Sequence, residues 1–348
     1  MTDAGNRSHA LVAVGKDVQK EMKVMRKVLL TLMVLLLGFG MLYSAAQQEA
    51  QFPTKPLTIV CPWSPGGGTD RIARFMAEQL TAVLGQPVNV VNKTGGSGAV
   101  GHSEAANAAP DGYTIGNLTF EVNTLKYLGY STITPNDFIP IIQFNEDAAA
   151  VTVGANSPYK TVPELLNAVK SGAEGKFSFS GSGIGTVWDL ARIAMLDKYG
   201  IDPKRVKYIP STGAAPAITE LLGGHIDVIT CSYPEVAPQV LAGSLKTLAI
   251  MAPERNPDFP NVPTLKEQGI DWSYGTWRGF AVPLGTPANV VKILQDAMVK
   301  VVEGDAFKAF MKTNGFGIQV RVGDDFGNYM KQQFDALAAI FKLAGYGV

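Results

Sequence analysis

At 348 residues, 46% hydrophobic and 17% charged, the chain has enough apolar material for two ordinary globular domains. Thirty basic and thirty acidic residues cancel to a formal net charge of +0. No basic stripe and no basic–aromatic interleaving is present, which argues against a nucleic-acid partner.

The first 46 residues stand apart. Lys23, Arg26 and Lys27 precede an apolar run from Val28 to Leu42, and Ser44-Ala45-Ala46 offers small residues for a cut after Ala46. That is the pattern of a secretory signal peptide, with translation starting at the head of the chain or at Met22 or Met25. The apolar run falls short of the ~20 residues that span a bilayer, so a retained anchor is the weaker reading. Residues 1–46 hold six Lys/Arg and three Asp/Glu, so their removal leaves a net charge near −3.

From Leu57 the chain reads as strand, glycine turn, helix. Leu57 to Cys61 is a buried strand, Pro62 and Pro65 end it, and Gly66 to Gly68 follow. Thr69 and Asp70 are good N-cap types, Ile72, Met76, Leu80 and Leu84 recur every four residues, and Gly85 is the stop. A glycine turn at a helix start suits an anion, and equally a plain strand–helix connection. The pattern repeats: strand Val88–Val91, loop Asn92–Gly98, helix Ala99–Ala108, then strand Thr114–Leu118 ending at Thr119-Phe120-Glu121. Such alternation indicates an α/β sheet, largely parallel, whose ligands bind at the carboxyl ends of the strands.

A second region follows. Ala148–Val153 is a strand, Thr161 caps a helix, and a strand near Lys176–Phe179 runs into Ser180-Gly181-Ser182-Gly183-Ile184-Gly185-Thr186 before a helix from Val187 to Leu196. Val206–Ile209, the turn Gly213-Ala214 and a helix Ala217–Leu222 form another unit. Strand Val228–Cys231, a turn Ser232-Tyr233-Pro234 and strand Leu245–Met251 come next. Gly279–Val282 returns the chain to the first domain, and helices Ala288–Val302, Asp305–Thr313 and Asp324–Ala344 close it. Cys61 and Cys231 fall in different domains, so two buried free thiols are expected in preference to a disulfide.

Together, these phrases resemble one family. FPTKPLTIVCPWSPGGGTD, NKTGGSGAVG, PDGYTIG, DFIPI, GSGIGT, GAAPAITELLGGHID, LKTLAI, NVPTLKEQG and WRGFAVPLGTP occur in the order found in substrate-binding proteins of tripartite tricarboxylate transporters, the Bug family. The resemblance covers nearly everything after Ala46. It implies a two-domain periplasmic-binding-protein fold, type II-like, with a ligand cleft between lobes joined by two crossover segments near Val153 and Gly279. The implied division is 52–154 and 276–348 for the first domain and 155–275 for the second. It further implies a periplasmic monomer that passes a small organic carboxylate to membrane subunits, with no cofactor and no metal.

Carried over position by position, the resemblance places Trp63, Gly67, Gly68, Thr69, Asp70 and Thr119 on the ligand from the first lobe. Gly183, Gly185, Thr186, Asp189, Gly213, Ala214, Tyr233 and Pro234 would come from the second. A helix dipole contributes only ~0.3–1 kcal/mol, and a micromolar ligand needs about 8 kcal/mol. Hydrogen bonds to a charged group contribute ~1.5–3 kcal/mol each, so donors from both lobes are required. Trp63 serves as a cleft wall or as core; Asp70 as an N-cap or as a contact. Asp189 stands where family members often carry His. Facing the cleft it would repel a second carboxylate and favour an amine or hydroxyl; facing solvent, the reading favoured, it is only a helix charge. Glu121 raises the same question from the first lobe.

Two other classes are weighed. An α/β enzyme lacks support: there is no P-loop, Gly95-Gly96-Ser97-Gly98-Ala99 matches a nucleophile elbow only loosely, and His102 and His225 are the only bases of their kind after residue 46. No metal-ligand spacing occurs. A ligand-presenting partner of a sensor shares every feature of a transport receptor.

Overall fold

The computed structural model describes residues 52–343, so the signal-peptide reading of residues 1–46 lies outside the described residues. The first lobe opens with β1 (Leu57–Cys61), α1 (Gly68–Leu84), β2 (Val88–Asn92), α2 (Ala99–Ala106) and β3 (Thr114–Thr119). β1 pairs in parallel with β2 on one side and β3 on the other, so its apolar run is central to the sheet. The four-residue spacing of α1 buries Ile72, Met76 and Leu80 completely against that sheet. Gly85 ends the helix in the left-handed region, at φ 69°, where its amide reaches the Thr81 carbonyl.

A long strand then joins the lobes. β4 (Phe138–Gly154) pairs antiparallel with β9 (Gly275–Pro283) from Phe138 to Ala148. Its far end, Ala149 to Gly154, belongs to the sheet of the second lobe. That lobe contains α3 (Val162–Ser171), β5 (Ser178–Ser180), α4 (Val187–Lys198), β6 (Lys207–Tyr208), α5 (Ala214–Leu222), β7 (Val228–Ser232), α6 (Tyr233–Leu241) and β8 (Leu245–Ile250). β5 runs parallel to β6 and β7, while β4 runs antiparallel to β7 and β8. After β9 come α7 (Ala288–Glu303), α8 (Asp305–Asn314), β10 (Ile318–Val322) and α9 (Asp324–Leu343).

The sheet is therefore mixed rather than largely parallel. The cause is the double crossing: β4 leaves the first lobe and β9 re-enters it, side by side and in opposite directions. Two further elements differ from expectation. Tyr233-Pro234 is the first turn of α6, not a simple turn, because Ser232 and Glu235 form a capping box that tolerates proline just inside the helix. α5 begins at Ala214 with Pro216 in its first turn, three residues earlier than expected. β10, unanticipated, is a half-exposed strand against β4. Cys61 and Cys231 are free and buried, and burial pushes the Cys61 thiol up to about 12.

Candidate ligand-binding site

The turns at the carboxyl ends of β1, β3, β5 and β7 converge where the lobes face one another. Ser64, just past β1, donates from its amide and hydroxyl to the Thr212 carbonyl at 3.3 and 3.0 Å. Ser97 Oγ donates to the Ile184 carbonyl at 3.0 Å, and Arg71 Nη1 to the Pro234 carbonyl at 3.2 Å. Each bond crosses from one lobe to the other. Behind them lies a small cavity, with about 20 Å³ of room for the centres of water-sized spheres, lined from both sides. Its walls include Trp63, Gly67, Gly68, Thr69 and Thr119 from the first lobe, and Gly213 and Ala214 from the second.

Helix starts supply backbone donors here. Gly67 is the N-cap of α1 and Gly213 that of α5, and neither has a side chain with which to cap. The Gly68 amide donates to Glu235 Oε1 at 2.9 Å, while Glu235 Oε2 accepts from the amide and hydroxyl of Ser232. A Cβ on Gly68 would stand 2.8 Å from Arg278 Nη2, so only glycine allows this approach.

Trp63, Thr119, His102 and Glu121 form a buried chain whose proton positions follow from chemistry. Thr119 Oγ1 lies 3.2 Å from Trp63 Nε1, 3.2 Å from His102 Nε2 and 2.5 Å from Glu121 Oε2. An indole nitrogen only donates and a carboxylate only accepts. The single threonine proton therefore goes to Glu121, and His102 donates from Nε2, a tautomer assigned from this network. His102 Nδ1 is left bare, with no partner among the described residues. Burial pushes His102 down to about 3, so it stays neutral. Glu121 Oε1 accepts from the Val187 amide, the first amide of α4, at 3.1 Å. Burial raises the Glu121 carboxyl, against the opposing pull of its hydrogen bonds with Thr119 and Val187.

Arg278, on β9, is the cation of the cavity and only 2% exposed. Its Nε donates to Thr69 Oγ1 at 2.9 Å, and its Nη1 to Asn145 Oδ1 at 2.5 Å and Asp147 Oδ2 at 2.6 Å. Nη2 takes part in none of the hydrogen bonds of the described residues and stands 3.9 Å from Glu235 Oε1. Two N–H donors thus remain at the cavity wall. Burial raises the Asp147 carboxyl, and the Arg278 charge offsets that rise.

Not every expected contact lines this cavity. Asp70 sits in the first turn of α1, not at its N-cap, and turns away. It accepts from the Gly66 amide at 2.9 Å, from Arg74 and from Asn92. Gly183 and Gly185 serve lobe contact: a Cβ on the first would collide with Ser97, and one on the second would lie 2.6 Å from Leu128 Cδ1. Thr186 spends its hydroxyl on Ser182 and on the Gly183 carbonyl. Tyr233 stacks on Phe259 with ring centroids 4.1 Å apart. Pro234 offers its carbonyl to Arg71.

Asp189 corrects the favoured solvent reading. It is 3% exposed, accepts from the Gly185 amide at 3.0 Å, and is paired with Arg192 at 2.7 Å. Its charge is neutralised inside the second lobe. Arg278, Glu235, Ser64 and Ser182 went unremarked in sequence. The available signals were a lone cation within the apolar strand run around Gly279 and the Ser232-x-x-Glu235 capping pattern. Ser97, the loose nucleophile candidate, holds a positive φ of 56° and is committed to Ile184.

Two lobes joined by paired crossing strands, with helix starts and a buried arginine around a shared cavity, define a two-lobed solute-binding protein. Residues 72–345 match the model of the tripartite tricarboxylate transporter family receptor. A solved solute-binding protein of this type from Polaromonas is 40% identical, with a TM-score of 0.60, over 84% of this chain and 98% of that one. The periplasmic binding protein BugD is 30% identical, TM-score 0.79, over 85% and 99%. MatC of Rhodopseudomonas palustris, solved with bound malate, shares the fold at 24% identity, TM-score 0.77, over 83% and 100%. The chain belongs to the tripartite tricarboxylate transporter receptor family, whose members are solute-binding proteins rather than enzymes.

Proposed function

We propose that this chain captures a small carboxylate in the interlobe cavity and delivers it to the membrane subunits of a tripartite transporter. It acts as a periplasmic monomer exported by a signal peptide cut after Ala46, with lobes divided as 52–154 plus 276–348 and 155–275. The observation that carries the reading is Arg278: a buried guanidinium with two uncommitted Nη2 donors beside the glycine-capped start of α1. A carboxylate there receives charge-assisted hydrogen bonds in a site sheltered from water. MatC, of the same fold, holds the dicarboxylate malate.

Of the residues expected to touch ligand, Trp63, Gly67, Gly68, Thr69, Thr119, Gly213 and Ala214 are proposed as contacts, with Arg278 and Glu121 added. A thermal-shift screen tests the reading, since a ligand that binds only the native state raises the midpoint by mass action. Carboxylates are expected to give the stabilising hits; hits confined to nucleotides or sugars overturn it. Uptake of the best hit should then require both this chain and the membrane subunits.

A further inference from the structure

The cavity is electrically two-ended. On one side stands Arg278, whose Nη2 makes no hydrogen bond among the described residues and lies 3.9 Å from Glu235 Oε1. On another stands Glu121, 1% exposed, a carboxylate with no cation in hydrogen-bond contact among the described residues. It accepts from Thr119 Oγ1, from the Val187 amide and from its own backbone amide, and none of these donors is a cation. Glu235 also accepts from three donors, but it has Arg278 beside it at 3.9 Å. Of these two lining carboxylates, Glu121 is therefore the one with no cation in contact among the described residues.

A buried carboxylate without a counter-ion is costly, and a second carboxylate brought against it adds repulsion at short range. A ligand carrying a cation removes both penalties. We propose that the ligand is an amino-carboxylate, its carboxylate on Arg278 Nη2 and the start of α1, its ammonium group on Glu121. This rests on the carboxylate reading above and narrows it. Glu121 is then the residue that selects amino acids over the corresponding plain acids.

Burial alone raises the Glu121 carboxyl, and the groups around it are of both kinds. Arg278 opposes the rise, His102 is neutral behind Thr119, and Tyr274 faces it as an uncharged phenol. An ammonium group would hold Glu121 ionised, whereas a second carboxylate would bind only with uptake of a proton.

Matched pairs provide the test: glutamate against glutarate, aspartate against succinate, and 4-aminobutyrate against butyrate. Titration calorimetry on the wild-type protein, in two buffers of different ionisation enthalpy, should give at least tenfold tighter binding for the amino member of the best pair. Proton uptake should be near zero for that member. Glu121→Gln should weaken that member tenfold or more and narrow the ratio within the pair. Equal or tighter binding of the plain acid, with about one proton taken up, overturns the inference and leaves the carboxylate reading standing. If no carboxylate of either kind binds, the underlying reading fails and takes this one with it. Should Glu121→Gln not fold, the wild-type ratio and proton count decide alone.

Discussion

The starts of α1 and α4 read alike in sequence, each a strand, a glycine turn and a helix, yet they perform different tasks. At α1, Gly67 and Gly68 line the cavity and Arg278 stands against them. At α4, Gly183 and Gly185 press on Ser97 and Leu128 of the opposite lobe, and Asp189 with Arg192 closes the turn on itself. Val187 and Trp188 of that start, with Ser182 before it, do line the cavity, and Glu121 holds the Val187 amide. A glycine turn before a helix offers an anion site or a lobe contact; what lies opposite decides which.

Both starts are anchored by a buried arginine–aspartate pair, and removing each arginine separates the two roles. Arg278→Ala strands Asp147, and Arg192→Ala strands Asp189, each 5% exposed or less. Losing one partner of a buried pair costs about 3–5 kcal/mol, so both variants should unfold at clearly lower denaturant. Only Arg278→Ala should also lose the stabilisation that carboxylates give to the wild type. Equal retention of the ligand response in both variants would show that Arg278 is purely structural.

How much of this was legible follows the range over which each feature is determined. β1, the apolar face of α1 and its Gly85 stop stand as read, because apolar spacing and a left-handed glycine are local signals, while the N-cap falls at Gly67 and not at Thr69 or Asp70. The first part of β4 was missed since Phe138–Asp147 carries Asn145, Glu146 and Asp147, polar groups whose partners come from β9, β10 and the Gly317 turn. Glu235 was missed for the same reason, because the Gly68 amide that it accepts from lies 167 residues earlier. Asp189 was read outward on charge alone, although Arg192 three residues on was a visible partner for it.

The wall behind α1 also holds a titratable device that the α4 side lacks. His102 is neutral and pushed down to about 3, against about 6.5 when unfolded. Below pH 6.5 the unfolded chain binds a proton that the folded chain does not, so stability falls as pH falls. Between pH 7 and pH 5 this amounts to about 2 kcal/mol. Glu121 and Asp147, raised by burial, act in the opposite sense, holding their protons more tightly when folded and so losing stability as pH rises. Comparison with His102→Gln, which keeps a donor for Thr119, isolates the histidine. Denaturant midpoints at pH 7 and pH 5 should converge more closely in the variant, and an unchanged pH slope would place the proton-sensitive group elsewhere.

The finest contrast lies between Gly68 and Gly185 themselves. A Cβ on Gly68 meets Arg278 Nη2 at 2.8 Å and Glu235 at 3.1 Å, with no positive φ to strain. Gly68→Ala should therefore abolish or sharply weaken ligand response, and lower stability as far as Arg278 is pushed from its buried pair with Asp147. Gly185 has a φ of 72°, so Gly185→Ala should cost about 1 kcal/mol from backbone strain alone. Its Cβ also lies 2.6 Å from Leu128 Cδ1 across the cleft, which opposes closure. Adding Leu128→Ala should restore ligand affinity to Gly185→Ala without restoring the strain component, whereas it should do nothing for Gly68→Ala. Rescue of both variants, or of neither, would mean that the two helix starts share one role after all.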